Sequence, residues 1–181
     1  EVLIDWWSKH TYGKHCYIGL GIYRAGSNDA WKDSTLIPRQ IELLRNTPNM
    51  QGMIFFSSKT FNNNPNGWND SLQNNHYKYP ALVPPMPWLD DVAPDAPTIQ
   101  KKSAANFVVN YNGKEKIKSF GIFSCGVGVK PNTKNAQLVK LLVATKTAVV
   151  DISNMAQKKN EKLYVASVDL NNNVSGLVEL N

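Results

Sequence analysis

Long apolar runs are missing from this 181-residue chain: no stretch approaches the ~20 consecutive apolar residues that a membrane-spanning helix needs. Cysteine is nearly absent. Cys16 and Cys125 stand alone, over a hundred residues apart and with no Cys-x-x-Cys spacing. That argues against both a disulfide framework and a thiolate zinc site, and it reads best as two small buried thiols. The three histidines, His10, His15 and His76, fall in no metal motif, so neither a metal nor a cofactor is expected. The chain begins at Glu1 with no methionine and no basic-then-apolar leader. The expectation is that any targeting segment has been removed and that the numbering starts inside a longer precursor. What is present, 42% hydrophobic and 19% charged residues at a mean hydropathy of -0.37, excludes wholesale disorder.

Arginine stops at Arg45 and tryptophan at Trp88, and these two limits divide the chain. Residues 1–90 carry 8 Lys+Arg against 7 Asp+Glu and hold 13 of the 18 aromatics, whereas residues 91–181 carry 12 against 7. The basic second half lacks the arginines favoured for bidentate phosphate and base contacts. Its lysines (Lys114, Lys116, Lys118, Lys130, Lys134, Lys140) are scattered singly, several alternating with apolar residues. They read as the solvated face of strands, and no nucleic-acid partner is expected. Six of the ten prolines fall between Pro80 and Pro97. Proline fixes φ and removes a backbone donor, so this stretch reads as a semi-rigid connector, with the domain boundary near Asp90–Asp91.

The first ninety residues read as α/β units. Leu3, Trp6 and Trp7 share a helical face opposite Asp5 and Lys9. Residues 15–22 and 51–56 are short apolar runs of the kind that form buried strands. Between them Thr35 is placed to cap a helix with Ile37, Ile41 and Leu44 on one face, Pro38 in its first turn and Pro48 beyond its end. A short last helix over 66–75 turns Trp68 and Leu72 inward. The separation of the two strands suits a parallel βαβ crossover. Gly19 and Gly21 lie inside a strand and Arg24 occupies the third glycine position, which argues against a dinucleotide loop. By alternation Tyr17, Gly19, Gly21 and Tyr23 share one face and Ile18, Leu20 and Ile22 the other. The aliphatic face suits a helix layer, and the small-and-aromatic face suits a barrel interior or a ligand pocket. Two parallel strands leave open edges, which favours the last part of a larger α/β domain over an unusual mini-fold.

Asp5-Trp6-Trp7, Tyr17-Ile18-Gly19-x-Gly21-Ile22-Tyr23 and Ile37-Pro38-x-Gln40-Ile41-x-x-x-Arg45 resemble the glycosyl-hydrolase-like family ten. So do Gln51-Gly52-x-x-Phe55-Phe56-Ser57-Ser58-Lys59 and Tyr79-Pro80-Ala81-Leu82-Val83-Pro84. The resemblance implies a bacterial cell-envelope protein, periplasmic or on the outer surface, secreted or lipid-anchored, with a (β/α)8 barrel that cleaves glycan strands of the peptidoglycan type. Residues 1–90 would then be the seventh and eighth strands of that barrel, with the upstream barrel portion, where the acidic catalytic residues are expected, as their partner.

Residues 98–181 show β-rich runs at 107–111, 117–125, 137–144, 147–152, 163–170 and 174–180. Asn112-Gly113 and Asn171-Asn172-Asn173 read as hairpin turns. Six or seven short strands suggest a small sandwich. Tyr164-Val165-Ala166-Ser167-Val168-Asp169 and Asn173-Val174-Ser175 resemble the last strands of a fibronectin type III domain. The tryptophan usual in an early strand of that domain is absent, so Phe107 or Tyr111 would fill its place. The expected fold class is therefore α/β plus all-β.

Barrel sites gather at the C-terminal ends of strands. Here those ends are Tyr23-Arg24 and Ser57-Ser58-Lys59, followed by Asn62, and these are the candidate glycan-binding residues. Tyr23 equally suits a plug of the barrel mouth, Lys59 a partner for an upstream carboxylate, and residues 62–64 a plain turn. Hydrolysis of a glycosidic bond usually requires two carboxyl groups roughly 5–10 Å apart. The first half offers Glu1, Asp5, Asp29, Asp33, Glu42, Asp70 and Asp90. Asp29 and Asp33 follow the first strand's loop and are as well placed to cap the next helix, so no catalytic residue is assigned. The chain is expected to be the C-terminal part of a glycoside hydrolase, not catalytic alone. A non-catalytic glycan-binding or adhesion protein with a degenerate barrel is the alternative, and a standalone structural module is a third class.

Overall fold

The structure, a computed structural model, describes residues 2–155 and 160–181; Glu1, one of the candidate carboxylates, and residues 156–159 lie outside the described residues. The chain divides into two units, Glu1–Lys78 and Tyr79–Asn181.

In the first unit α1 (Val2–Lys9) precedes β1 (Tyr17–Leu20), α2 (Leu36–Asn46) and β2 (Gly52–Phe55), then α3 (Ser58–Phe61) and α4 (Trp68–Ser71), which runs on into a π-helical turn at Leu72–His76. β1 and β2 pair in parallel with Tyr17 opposite Gly52, Ile18 opposite Met53, Gly19 opposite Ile54 and Leu20 opposite Phe55. The pairing sorts the side chains by face. Leu20, with Met53 and Phe55 half-buried, turns toward the helices, where Ile22, Ile37, Ile41, Trp68 and Leu72 form the core. Tyr17, Ile54 and Phe56 remain exposed on the other side. α2 buries Ile37, Ile41 and Leu44, the expected stripe. Trp68 is fully buried and its indole Nε1 donates to the Ser34 carbonyl at 3.0 Å, satisfying the polar end of an otherwise apolar ring.

One expectation for this unit changes. The Thr35 side chain makes no cap bond. Asp33 takes that role, its carboxylate accepting from the Thr35 amide at 2.8 Å and the Thr35 hydroxyl at 2.7 Å while pairing with Arg39 at 2.8 Å. A carboxylate near a helix N-terminus also meets the positive end of the helix dipole, so it competes well with a hydroxyl for that place. The α1 face of Leu3, Trp6 and Trp7, opposite Asp5 and Lys9, lies open. All three are exposed, Trp6 stacked on His10 at 4.1 Å, with Asp5 and Lys9 paired to each other.

In the second unit β3 (Thr98–Lys101), β4 (Asn106–Asn110) and β7 (Thr147–Asp151) form one antiparallel sheet in the order β3-β4-β7. β5 (Ile117–Gly126), β6 (Gln137–Val143), β8 (Glu161–Asp169) and β9 (Val178–Glu179) form another in the order β6-β5-β8-β9. Phe107, Val109 and Val150 from the first sheet share one buried cluster with Ile117, Phe120, Ile122, Leu163 and Val165 from the second. Phe107 and Tyr111 are both buried. Asn112-Gly113 is not a hairpin turn, because β4 and β5 belong to different sheets and this link carries the chain from one to the other. Gly113 is required there by close approach: a Cβ would collide with the Tyr111 hydroxyl and the Asp95 carboxylate. The Asn171–Asn173 turn does join paired strands, β8 and β9.

The contact division falls before the expected Asp90–Asp91, because the proline-rich segment is docked rather than free. Leu82 packs on Phe123, Cys125, Leu138, Tyr164 and Ala166, apolar residues of the four-stranded sheet outside the cluster shared by the two sheets. The Met86 amide donates to the Asn171 carbonyl at 3.1 Å, and Asn173 Nδ2 donates to the Asp90 carbonyl at 3.1 Å. Pro94 and Pro97 are buried. Lys118, read above as a solvated strand residue, instead donates to Asn172 Oδ1 at 2.5 Å beneath the same turn.

Candidate functional site

β1 and β2 deliver their C-terminal ends side by side. The Phe56 amide donates to the Leu20 carbonyl at 2.9 Å, and the Tyr23 amide donates to the Phe56 carbonyl at 3.3 Å. After Gly21 the chain leaves the strand for a single 3-10 turn, Ile22–Arg24, that buries Ile22 and throws Tyr23 and Arg24 outward. The Tyr23 ring meets the Phe56 ring edge-on, with centroids 5.8 Å apart and planes at 89°. Both rings are more than 60% exposed, so this is an open aromatic surface rather than core.

Gly21 permits the arrangement. A Cβ there would lie 3.1 Å from Tyr23 Cε1 and 3.8 Å from Arg24 Cδ, so the tyrosine ring and the arginine stem converge over one bare backbone position. The same device recurs at Gly52, where a Cβ would lie 3.1 Å from the Tyr17 ring. Gly21 and Gly52 thus each leave room for an aromatic ring beside bare backbone. The Arg24 guanidinium stands over the Trp31 ring at 5.1 Å, a cation–π contact. Trp31 is itself fixed. Its amide donates to Asn28 Oδ1 at 3.2 Å, its carbonyl accepts from Asn66 Nδ2 at 2.8 Å, and its ring meets Trp68 edge-on at 6.4 Å.

The other candidates follow β2. Ser57 is half-buried at the N-cap position of α3, and Ser58 and Lys59 are exposed on its first turn. Asn62 ends α3, its amide donating to the Lys59 carbonyl at 3.3 Å. Asn64 serves the fold: its Oδ1 accepts from the Asn69 amide at 3.0 Å and its Nδ2 donates to Asp70 at 2.8 Å. The strand ends therefore bring Tyr23 and Arg24 together with Phe56, followed in the chain by Ser57, Ser58 and Lys59.

Asp29 and Asp33 are occupied elsewhere. Asp29 is fully exposed and pairs with Lys32 at 2.9 Å. Asp33 caps α2, and the Thr35 hydroxyl, then the Thr35 amide and the Arg39 charge, hold its carboxyl below the usual aspartate range. Among the described residues no group of His, Cys, Asp or Glu is placed to hold a metal, Cys16 and Cys125 are free thiols, and no helix is long and apolar enough to cross a membrane. In residues 91–181 all five aromatic rings are buried, so none of them offers an exposed stacking surface. Phe56 and Trp31 belong to the strand-end cluster although the sequence does not single them out. The run Gln-Gly-Met-Ile-Phe-Phe is apolar on both faces, and only the pairing of Gly52 with Tyr17 reveals which face Phe56 shares.

No family model matches this chain. It is 43% identical over 105 residues to Glycosyl hydrolase YngK of Bacillus subtilis (strain 168), a stretch that covers 56% of this chain and 21% of that protein. The chain thus spans about a fifth of the length of this curated relative. Two solved structures are similar: one titled as a myokine structure (TM-score 0.32, 14% identity, 51% of this chain and 97% of that one) and the spore cortex lytic enzyme SleM of Clostridium perfringens (TM-score 0.30, 18% identity, 54% of this chain and 27% of that one). At those scores neither carries an argument about fold or chemistry. The sequence match does carry one: over those 105 residues the chain is glycosyl-hydrolase-like.

Proposed function

We propose that these residues belong to a cell-envelope glycoside hydrolase acting on glycan strands, and that they contribute substrate-binding groups rather than its catalytic carboxylates. The 43% identity to a glycosyl hydrolase carries this reading. The strand-end cluster supports it, since sugars are held by aromatic faces together with fixed hydrogen-bonding groups. Tyr23, Arg24, Ser57, Ser58, Lys59 and Asn62 are the proposed binding residues.

In the intact protein β1 and β2 are the last two strands of a (β/α)8 barrel, and the upstream barrel portion supplies the acid and the nucleophile or base. Their parallel pairing, the helix α2 between them and the apolar face left open by Tyr17, Ile54 and Phe56 support this. The second unit is a fibronectin type III-like sandwich that acts as a spacer or scaffold. Its two sheets of three and four strands around one core support that reading, and Phe107 and Tyr111, the two candidates for the tryptophan's place, are both buried in it.

The test is release of reducing ends from denuded glycan strands, measured for the full-length polypeptide and for the 181-residue chain alone. Release by the full-length protein only is the expected result. Release by the short chain would overturn the assignment of the carboxylates upstream. Binding without release by the full-length protein would favour the non-catalytic glycan-binding reading, which the engagement of Asp29 and Asp33 in structural pairs also fits.

A further inference from the structure

We infer that Arg24, aimed by Trp31 and flanked by the Tyr23–Phe56 ring pair, determines specificity at this site by selecting a glycan residue that bears a carboxylate. The inference rests on the glycan-binding reading above and names the chemistry that one subsite prefers.

Charge is the first argument. Among the described residues Arg24 makes no ion pair, and the acidic side chains that follow it in the chain are taken: Asp29 by Lys32 and Asp33 by Arg39. A guanidinium offers five donors and no acceptor, in a fork that matches a carboxylate. Lys59, also without an ion pair among the described residues, follows β2 within a few residues of Phe56 and adds charge of the same sign.

Pre-organisation is the second. An exposed arginine ordinarily samples many rotamers, and ordering it on binding costs affinity. Here the Trp31 ring holds the guanidinium at 5.1 Å, and Trp31 is tied to Asn28, Asn66 and Trp68, none of which is on the strands.

Shape is the third. The Arg24 stem and the Tyr23 ring both come within 4 Å of the position a Cβ would take on Gly21, so the charged group and the ring pair border one surface. Because the two rings stand at 89°, a pyranose ring stacks on Phe56 with Tyr23 as a wall beside it, and Arg24 borders the Tyr23 side. Phe56 contributes the apolar face, Arg24 reads the substituent, and Trp31 is a positioning residue.

The experiment measures binding of two oligosaccharides to the full-length protein by calorimetry. One has carboxylate-bearing sugars, and the other is the same glycan with each carboxyl reduced to the alcohol. A hydrogen-bonded charge pair of this kind is expected to favour the carboxylate form by roughly ten-fold or more. In Arg24→Gln that ratio is expected to fall to about one. Trp31→Leu should lower the ratio several-fold and Trp31→Phe should restore it, a pattern that general loss of structure would not produce. Phe56→Ala should weaken both glycans by a similar factor, leaving the ratio in place. Equal binding of the two glycans by the unaltered protein, or an unchanged ratio in Arg24→Gln, would overturn the inference while leaving glycan binding intact. Binding of neither glycan would overturn the functional reading as well.

Discussion

Asp169→Ala tests whether the turn that holds the proline-rich strap is as tightly built as its geometry implies. The Asp169 carboxylate, 3% exposed, accepts from the Asn171 amide at 2.8 Å, the Asn173 amide at 2.8 Å and Asn173 Nδ2 at 2.9 Å. Removing it strands both backbone amides and leaves Asn173 Nδ2 with the Asp90 carbonyl alone. The Asn171 amide has partial access to water and recovers a partner, whereas the Asn173 amide is buried. At about 1–3 kcal/mol for the buried amide left unmade and about 1 kcal/mol for the lost Nδ2 bond, the loss is about 2–4 kcal/mol. That is a large part of the roughly 5–15 kcal/mol by which a domain is stable. With a urea slope of about 2 kcal/mol per molar, the unfolding midpoint of the second unit should fall by about 1–2 M. Asp169→Asn keeps one acceptor oxygen and the shape, and should lose about half as much. Hydrogen exchange resolved to peptides reads both effects: peptides from β8 report the global loss, and the Met86 amide, bonded to the Asn171 carbonyl, reports release of the strap. A midpoint shift below about 0.5 M in Asp169→Ala, or a Met86 amide as protected as before, would refute the reasoning.

Three further outcomes are expected. Trp68→Ala removes a fully buried ring and the bond from Nε1 to the Ser34 carbonyl, and should cost the first unit about 3–5 kcal/mol, read by urea denaturation. Asp33 has its native pKa lowered, first by the Thr35 hydroxyl, so its contribution to α2 is present above the ordinary aspartate range and is lost as pH falls through the lower native value; amide exchange in the first turn of α2 should rise only at acid pH, and Asp33→Asn should abolish that dependence. The 181-residue chain, with Trp6, Trp7, Ile54 and Phe56 exposed in its first unit, should self-associate as concentration rises in light scattering, and Ile54→Thr combined with Phe56→Ser should reduce it.

The first unit was more legible in the sequence than the second, for a physical reason. Its elements announce themselves by local period: Ile37, Ile41 and Leu44 mark α2, and the glycine–aliphatic alternation of residues 17–22 sorts β1 into two faces. What failed was identity at short range. Thr35 and Asp33 both suit a cap, and only the geometry shows that the carboxylate wins. In the second unit the strands were readable but their partners were not. β3 was missed because Thr98–Lys101 is short, mostly exposed and follows Pro97 directly. Asn112-Gly113 signals a reversal but says nothing of which sheet receives the chain. The proline run fixed the backbone type of residues 80–97 correctly. It could not reveal that Leu82 and Asp90 had binding places waiting on the sheet. At the candidate site Tyr23 and Arg24 followed from the end of a strand, whereas Phe56 lay hidden in a uniformly apolar run.

The docked strap changes what counts as a transferable piece of this protein. A cut at the Asp90–Asp91 pair, where composition changes, would leave Leu82 and Met86 behind. The sheet surface of Phe123, Leu138 and Tyr164 would lose the cover that Leu82 gives it, and Asn173 Nδ2 would lose its close contact with the Asp90 carbonyl. Recombination that moved the second unit between proteins would keep it sound only by carrying the residues from Tyr79 onward. The prolines ahead of β3 therefore travel with the domain they follow onto, as its first structural layer, and selection on them should track the sheet they cover.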